Sequence, residues 1–242
     1  MIAAIIQARM SSTRLPNKVL LNLCGQPLLW HIVNRLKFSK KIDRIIIATT
    51  KNPRDDVIEQ WCRDNCLDLY RGHENDVLSR YYEAATLYKV DTIVRITADD
   101  PLKDPEVVDD TITIFQTHNL DFCYNNNPAT FPEGLDVEVF SWKALSIANE
   151  QASAPYEREH VTQYLFKKPE LFKQKNYALK QNFSYLRWTL DEKEDFEMIQ
   201  KIYGELYRKD RIFLFKDILT LLENNPEIEK INSFVKRSAM YI

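Results

Sequence analysis

Residues 5–18 carry three cations (Arg9, Arg14, Lys18) and three hydroxyls (Ser11, Ser12, Thr13), with no acid among them. They emerge from the apolar run of residues 1–6, which reads as a short buried strand. A basic, hydroxyl-rich loop at the carboxyl end of a first strand is suited to polyanionic phosphate. Arg9 and Arg14 can each present a planar fork to a phosphate, and Lys18 a point charge to a non-bridging oxygen. A solvated basic loop is the alternative. Such crowding directly after a buried strand favours a ligand.

Carboxylates form the second set. Asp99-Asp100-Pro101 follows the strand-like Thr92–Thr97. An acid there, beside a phosphate loop, is placed to hold Mg²⁺; the alternative is a cap of the turn before Pro101. In residues 186–197, Asp191 ends a late strand pattern pointed at the same rim, and Glu192, Glu194 and Asp195 read as caps and dipole partners of a helix start. Arg71 stands at another strand end, where Gly72 lets a flat base approach backbone. A surface salt bridge is the competing reading. Thr49 and Thr50 are expected at the same pocket.

These residues need strands that end on one rim. Apolar runs at Ile2–Gln7, 44–49, 67–70 and Thr92–Thr97 alternate with helical spacing at 27–37, 55–65, 75–88 and Pro105–Thr117. Asn75 or Asp76 caps the third helix. Such alternation implies a mostly parallel sheet covered by helices, with ligands outside the carboxyl ends of its strands. Beyond residue 120 the pattern gives strands at 121–124, 135–140 and 185–190, and helices at 141–151, 156–166, 195–206 and 215–223. There is no repeat or Gly/Ser-rich break, so residues 1–242 read as a single domain.

A net charge of −2 argues against a general nucleic-acid or anionic-membrane surface. No apolar run approaches the roughly 20 residues of a spanning helix, and the start is too soon charged for a signal peptide. The scattered Cys24, Cys62, Cys66 and Cys123 make no zinc pattern and read as reduced, mostly buried thiols of a cytoplasmic protein. His31, His73 and His118 read as structural.

The segment Gln7-Ala8-Arg9-Met10-Ser11-Ser12-Thr13-Arg14-Leu15-Pro16 resembles the signature of the cytidylyltransferases that activate sugars and sugar acids, in its spore-coat polysaccharide biosynthesis protein F form. Sialic-acid and Kdo activating enzymes carry Pro-Ala-Arg-x-Gly-Ser instead; the missing glycine leaves less freedom for positive φ. The family's Arg-Ile-Thr-Gly-Asp-x-Pro-Leu is matched by residues 95–102 except at Ala98, and its Asp-x-x-x-Asp-Phe/Leu-Glu by Asp191, Asp195 and Glu197.

The resemblance implies a nucleotide-diphospho-sugar transferase-like α/β fold (GT-A, Rossmann-like) with a mixed, mostly parallel sheet. It implies CTP bound by Ala8, Arg9, Ser12, Arg14, Lys18, Thr49, Arg71 and Asp76, with Arg71 reading the base. Asp99 and Asp191 would hold Mg²⁺, and Arg9, Lys18 and Asp99 would carry catalysis. Glu133, Asp136, Glu138, Arg158 and His160 would face a small sugar-type acceptor; for His160 the competing reading is a helix-surface or partly buried hydrogen-bonded histidine. A sugar-binding or dimerisation subregion at about 120–185, and a homodimer, go with that reading. The expected reaction transfers CMP from CTP to a sugar acid, releasing pyrophosphate, in surface-glycan biosynthesis. A nucleotidyltransferase using another NTP or a sugar 1-phosphate stays open, as does a nucleotide-binding module without turnover. A GT-A glycosyltransferase would use a paired Asp-x-Asp, and Asp104 lies too far from Asp99 for that.

Overall fold

The computed structural model describes residues 1–12 and 14–237; Thr13, one of the hydroxyls read in the first loop, lies outside the described residues. In chain order, β1 (Ile2–Gln7) is followed by a small hairpin, β2 (Asn22–Leu23) and β3 (Gln26–Pro27), then α1 (Leu28–Leu36) and β4 (Arg44–Thr50). Next come α2 (Asp56–Asp64), β5 (Asp68–Gly72), α3 (Val77–Leu87), β6 (Thr92–Thr97), α4 (Pro105–Thr117), β7 (Phe122–Tyr124) and β8 (Glu138–Ser141). The remainder is α5 (Trp142–Gln151), α6 (Pro155–Glu159), α7 (Gln163–Lys167), β9 (Gln174–Asn176), α8 (Lys193–Leu206), α9 (Phe215–Asn224) and α10 (Pro226–Lys230).

One sheet, in the order β5-β4-β1-β6-β8-β7-β9, contains all strands except the hairpin. β1 lies between β4 and β6 and runs parallel to both; β5 continues the parallel half. β8 is antiparallel to β6 and β7, which makes the sheet mixed. β1 is buried on both faces, and so reads as an unbroken apolar run. Ala4, Ile6 and Ala8 pack in the core on one face, against residues of α1, α4 and α8. Ala3 and Ile5 pack on the other, against Leu78, Tyr81 and Ala84 of α3. Tyr81 fixes α3 to the sheet by hydrogen bonding the carbonyls of Ile5 (3.1 Å) and Ile96 (3.3 Å).

The helix starts are set by side chains. Asp76 accepts from the Ser79 amide at 2.9 Å and caps α3. Asp104 accepts from Glu106 and Val107 amides ahead of Pro105 and caps α4. Glu192 and Asp195 form a reciprocal capping box on α8.

The second half departs from the sequence reading in four places. Residues 186–190 are all buried behind an exposed Tyr185, but the segment is not a strand. Their backbone partners are two loops: Trp188 donates to Glu133 at 2.7 Å, and Leu190 to Asp99 at 2.8 Å. Gly134 sits at φ +108, and a Cβ there would lie 2.6 Å from the Thr189 nitrogen, so the close approach of this strap requires glycine. The strand read at 135–140 begins only at Glu138, because the buried Asn125 amide bonds Leu135 and Val137 in place of a neighbouring strand. The helix read at 156–166 breaks into α6 and α7, with Val161 between them at φ 57. β9, pairing parallel with β7, was not legible, since Gln174-Lys175-Asn176 has no apolar residue. Of the cysteines, Cys62 and Cys123 are buried but Cys24 and Cys66 are exposed; all four are free.

Candidate active site

A cleft of about 350 Å³ opens at the carboxyl ends of β1 and β6. Ala8, Arg9, Ser11, Ser12, Arg14 and Lys18 line one side. The sequence of the loop holds no acid, yet the fold surrounds it with them. Asp55 accepts from the Met10 amide at 2.8 Å and from the Thr50 hydroxyl, tying the loop to β4. Ser11 donates to Glu74 at 3.1 Å.

Lys18 is the centre of the arrangement. Its ammonium lies 3.0 Å from Asp99, 2.7 Å from Asp191 and 3.0 Å from the Leu190 carbonyl. Arg14 reaches Asp191 from the other side at 2.9 Å. Two carboxylates distant in sequence therefore converge on one positive charge. Burial alone would lower the Lys18 pKa, but Asp99 and Asp191 together raise it above the ordinary value. Burial alone would raise Asp99; Lys18 and the Thr97 hydroxyl outweigh it and hold the carboxyl at about 2. Asp100 turns away from the cleft, to Thr97 (2.9 Å) and the buried Lys103 (3.0 Å). Burial lifts its carboxyl to about 6. Lys103 also donates to the Gly134 and Asp136 carbonyls, so this pair joins the turn after β6 to the loop before β8.

Asp191 is held by a buried ion cluster. Arg187 forks onto Asp195 at 2.9 Å through two nitrogens and reaches Glu133 at 3.0 Å. Asp195 accepts from the Asp191 and Glu192 amides, both at 2.9 Å, and from Asn232. Burial would raise the Asp195 carboxyl, but Arg187 leads the groups that lower it. Carboxyls depressed in the fold stabilise it above their unfolded pKa, near 4, and lose that contribution as pH falls below it. Urea midpoints are therefore expected to fall steeply from about pH 4 towards pH 2. A midpoint level across that interval would contradict the depressed state of Asp99 and Asp195.

Other expected site residues lie elsewhere. Arg71 is not in the cleft. Its guanidinium bonds Asp56 (2.7 Å), Glu59 and the carbonyls of Thr50 (2.8 Å) and Asn52 (3.0 Å), because α2 presents two acids beside the end of β5. Thr49 is fully buried near the end of β4, with its hydroxyl unpartnered among the described residues. Asp76 caps α3 and pairs with Arg158 at 2.6 Å, so both side chains serve the α3–α6 contact. Glu133 belongs to the Arg187 cluster. Glu138 pairs with Arg95 at 2.6 Å and accepts from Asn126 and Thr162. Asp136 is half-buried outside the cleft. His160 does reach the cleft, with Glu159, where the α6–α7 break turns the chain. His31, by contrast, is buried against the Leu23 carbonyl at 2.6 Å. Sequence reading put the end of β6, Thr97 with Ala98 and Asp99, at this cleft, but missed Gln7, Val19, Val77, Arg80 and Glu159 as lining residues. Gln7, like Thr97, ends a paired strand, so strand-end position was the available signal; Arg80, inside a helix, had none.

The cytidylyltransferase family model matches residues 3–239. The chain belongs to the cytidylyltransferase family. Among relatives, the spore coat polysaccharide biosynthesis protein SpsF of Bacillus subtilis is 34% identical, over 92% of this chain and 94% of that protein. The solved cytidylyltransferase of Leptospira borgpetersenii serovar Hardjo-bovis superposes with a TM-score of 0.89, at 34% identity over 94% of this chain and 96% of that one. A CMP:2-keto-3-deoxy-manno-octonic acid synthetase solved with CTP shares the fold at a TM-score of 0.67 and 14% identity, over 85% and 99%. This cytidylyltransferase thus has the nucleotide-diphospho-sugar transferase type of fold, and no helix among its described residues is long and apolar enough to cross a membrane.

Proposed function

We propose that this cytidylyltransferase transfers CMP from CTP to a sugar acid or related sugar-type acceptor and releases pyrophosphate, in the building of a surface glycan. The observation that supports the reading most is the meeting of Asp99, Asp191 and Lys18 beside the basic loop. In this reading Arg9, Ser12 and Arg14 bind the triphosphate. Attack by an acceptor oxygen on the α-phosphate builds negative charge on that group and on the departing pyrophosphate. Fixed cations aimed there lower the barrier without a covalent intermediate. Glu159 and His160 also line the cleft, and in this reading they bind acceptor hydroxyls.

The donor set fits a hard divalent cation. Two carboxylates converge on a point that already holds a positive charge, and Mg²⁺ takes few protein ligands. Asp99 and Asp191 would hold it, and when bound it supplies positive charge to the triphosphate. Lys18 would then be released from the two acids to serve the phosphates. Lys18→Ala and Arg9→Ala are each expected to lower kcat/KM by roughly 10² or more, with unchanged circular dichroism. Near-normal rates in both would reduce the loop to a solvated surface.

Initial rates of pyrophosphate release, with each of the four NTPs against a panel of octulosonic and nonulosonic acids, test the function. The expected outcome is turnover with CTP and one class of acid. Equal rates with all four NTPs would remove the base preference, and release only with a sugar 1-phosphate would replace the acceptor class. The names of the relatives support CTP and sugar acids, and SpsF supports the glycan context.

A further inference from the structure

Arg80 enters the cleft from α3, where Asp55 and Glu74 act on it from a distance but none of the described carboxylates makes an ion pair with it. It is 2% exposed, and the sole hydrogen bond of its side chain among the described residues runs from Nη1 to the His73 carbonyl at 3.2 Å. Its Nε has no partner among the described residues. Burial, with Arg9 adding to it, lowers its pKa, and Tyr81, Asp55 and Glu74 offset this only in part. The position is built: a Cβ on Gly72 would lie 2.9 Å from Arg80 Cγ, so the bare glycine at the end of β5 makes room for the stem. A buried, under-bonded guanidinium is costly unless a ligand completes it.

The neighbouring residues tell what that ligand presents. Gln7 ends β1 on the sheet face that α3 covers, and its Oε1 is also buried without a partner among the described residues. Val77, in the first turn of α3, adds an apolar wall to the same cleft. Lys18, Asp99 and Asp191 hold the close ion pairs of the cleft. The end at Gln7, Val77 and Arg80 pairs an amide and a donor-only fork with an apolar side chain, which suits the edge and face of a heteroaromatic ring better than a phosphate.

We propose that Gln7 and Arg80 are the base-reading residues, Arg80 donating to O2 and N3 of cytosine and the Gln7 amide oxygen accepting from its N4 amino group. The proposal rests on the CTP reading above and gives Arg80 the role that the engaged Arg71 does not fill in this structure. The chemistry discriminates. Cytosine places two acceptors side by side, whereas uracil puts an N3–H donor against the guanidinium and leaves both unsatisfied. Adenine offers N1 with no adjacent carbonyl.

Calorimetric titration with CTP, UTP and inorganic tripolyphosphate separates base from phosphate. Arg80→Met replaces the buried cation by an apolar chain of similar length. It is expected to weaken CTP roughly 10- to 100-fold, to bring the CTP:UTP affinity ratio towards one, and to leave tripolyphosphate unchanged. If melting curves show Arg80→Met unfolded, Gln7→Met carries the test, with the same pattern expected for CTP and tripolyphosphate. A variant that loses tripolyphosphate in proportion to CTP, or keeps the wild-type CTP:UTP ratio, overturns the assignment. Equal affinity of the wild type for CTP and UTP overturns the CTP reading itself, and shows before any variant is made.

Discussion

Asp99→Asn and Asp191→Asn are each expected to cut kcat/KM by at least roughly 10²-fold, with the double variant little worse than the worse single one. Asparagine keeps the shape and one neutral oxygen, but a hard cation binds the charge. The two acids come from the turn after β6 and from the strap before α8, and they meet on the Lys18 ammonium at 3.0 and 2.7 Å. Groups serving one ion act as a unit, so their losses do not multiply. Asp100→Asn is expected to be milder, because Asp100 faces Thr97 and Lys103 rather than the cleft. Steady-state kinetics with CTP decide it. Strictly multiplicative losses, or full activity in EDTA, would contradict a shared cation.

Arg187→Met is expected to destabilise the fold by about 3–5 kcal/mol, the usual cost of removing one partner from a buried ion pair. Asp195 is fully buried, and Arg187 supplies two of its hydrogen bonds. For a chain of this size the melting temperature should fall by roughly 6–20 °C. Turnover measured below that temperature should fall too, since Asp195 receives the Asp191 backbone amide and so sets where that carboxylate stands. Asp195→Asn introduced alongside should recover part of the stability, because it removes the uncompensated charge. Thermal melts of the single and double variants check this; a double variant less stable than Arg187→Met would contradict the account.

The parallel half of the sheet was legible because burial on both faces and local capping act within short windows. β1 and β6 span Ile2–Gln7 and Thr92–Thr97 as read, and α4 starts at Pro105 behind its Asp104 cap. The antiparallel half was less so. Residues 185–190 have a strand-like period, but whether the backbone meets a strand or two loops is decided by Glu133 and Asp99, far away in the chain. At the cleft, the basic loop could be picked out by residue type and Asp99 by its place after β6, whereas Asp191 was read at the end of a strand that the fold replaces by a strap. What could not be read was which side chains the fold spends on itself. Arg71, Asp76, Arg158, Glu133 and Glu138 all find partners of opposite charge from other elements. Arg80 makes no ion pair among the described residues, and a sequence does not reveal a missing partner.

Phosphorus NMR of the protein with CTP, Mg²⁺ and the sugar acid that supports fastest turnover tests cytidylyl transfer most directly. The account predicts loss of the three CTP resonances in step with the rise of one pyrophosphate and one phosphodiester resonance, the latter belonging to a CMP-linked sugar. Accumulation of CDP with orthophosphate or a sugar phosphate would place the cut at the wrong phosphate and contradict it. CTP left intact with every acid of the panel, at protein concentrations that bind it, would do the same.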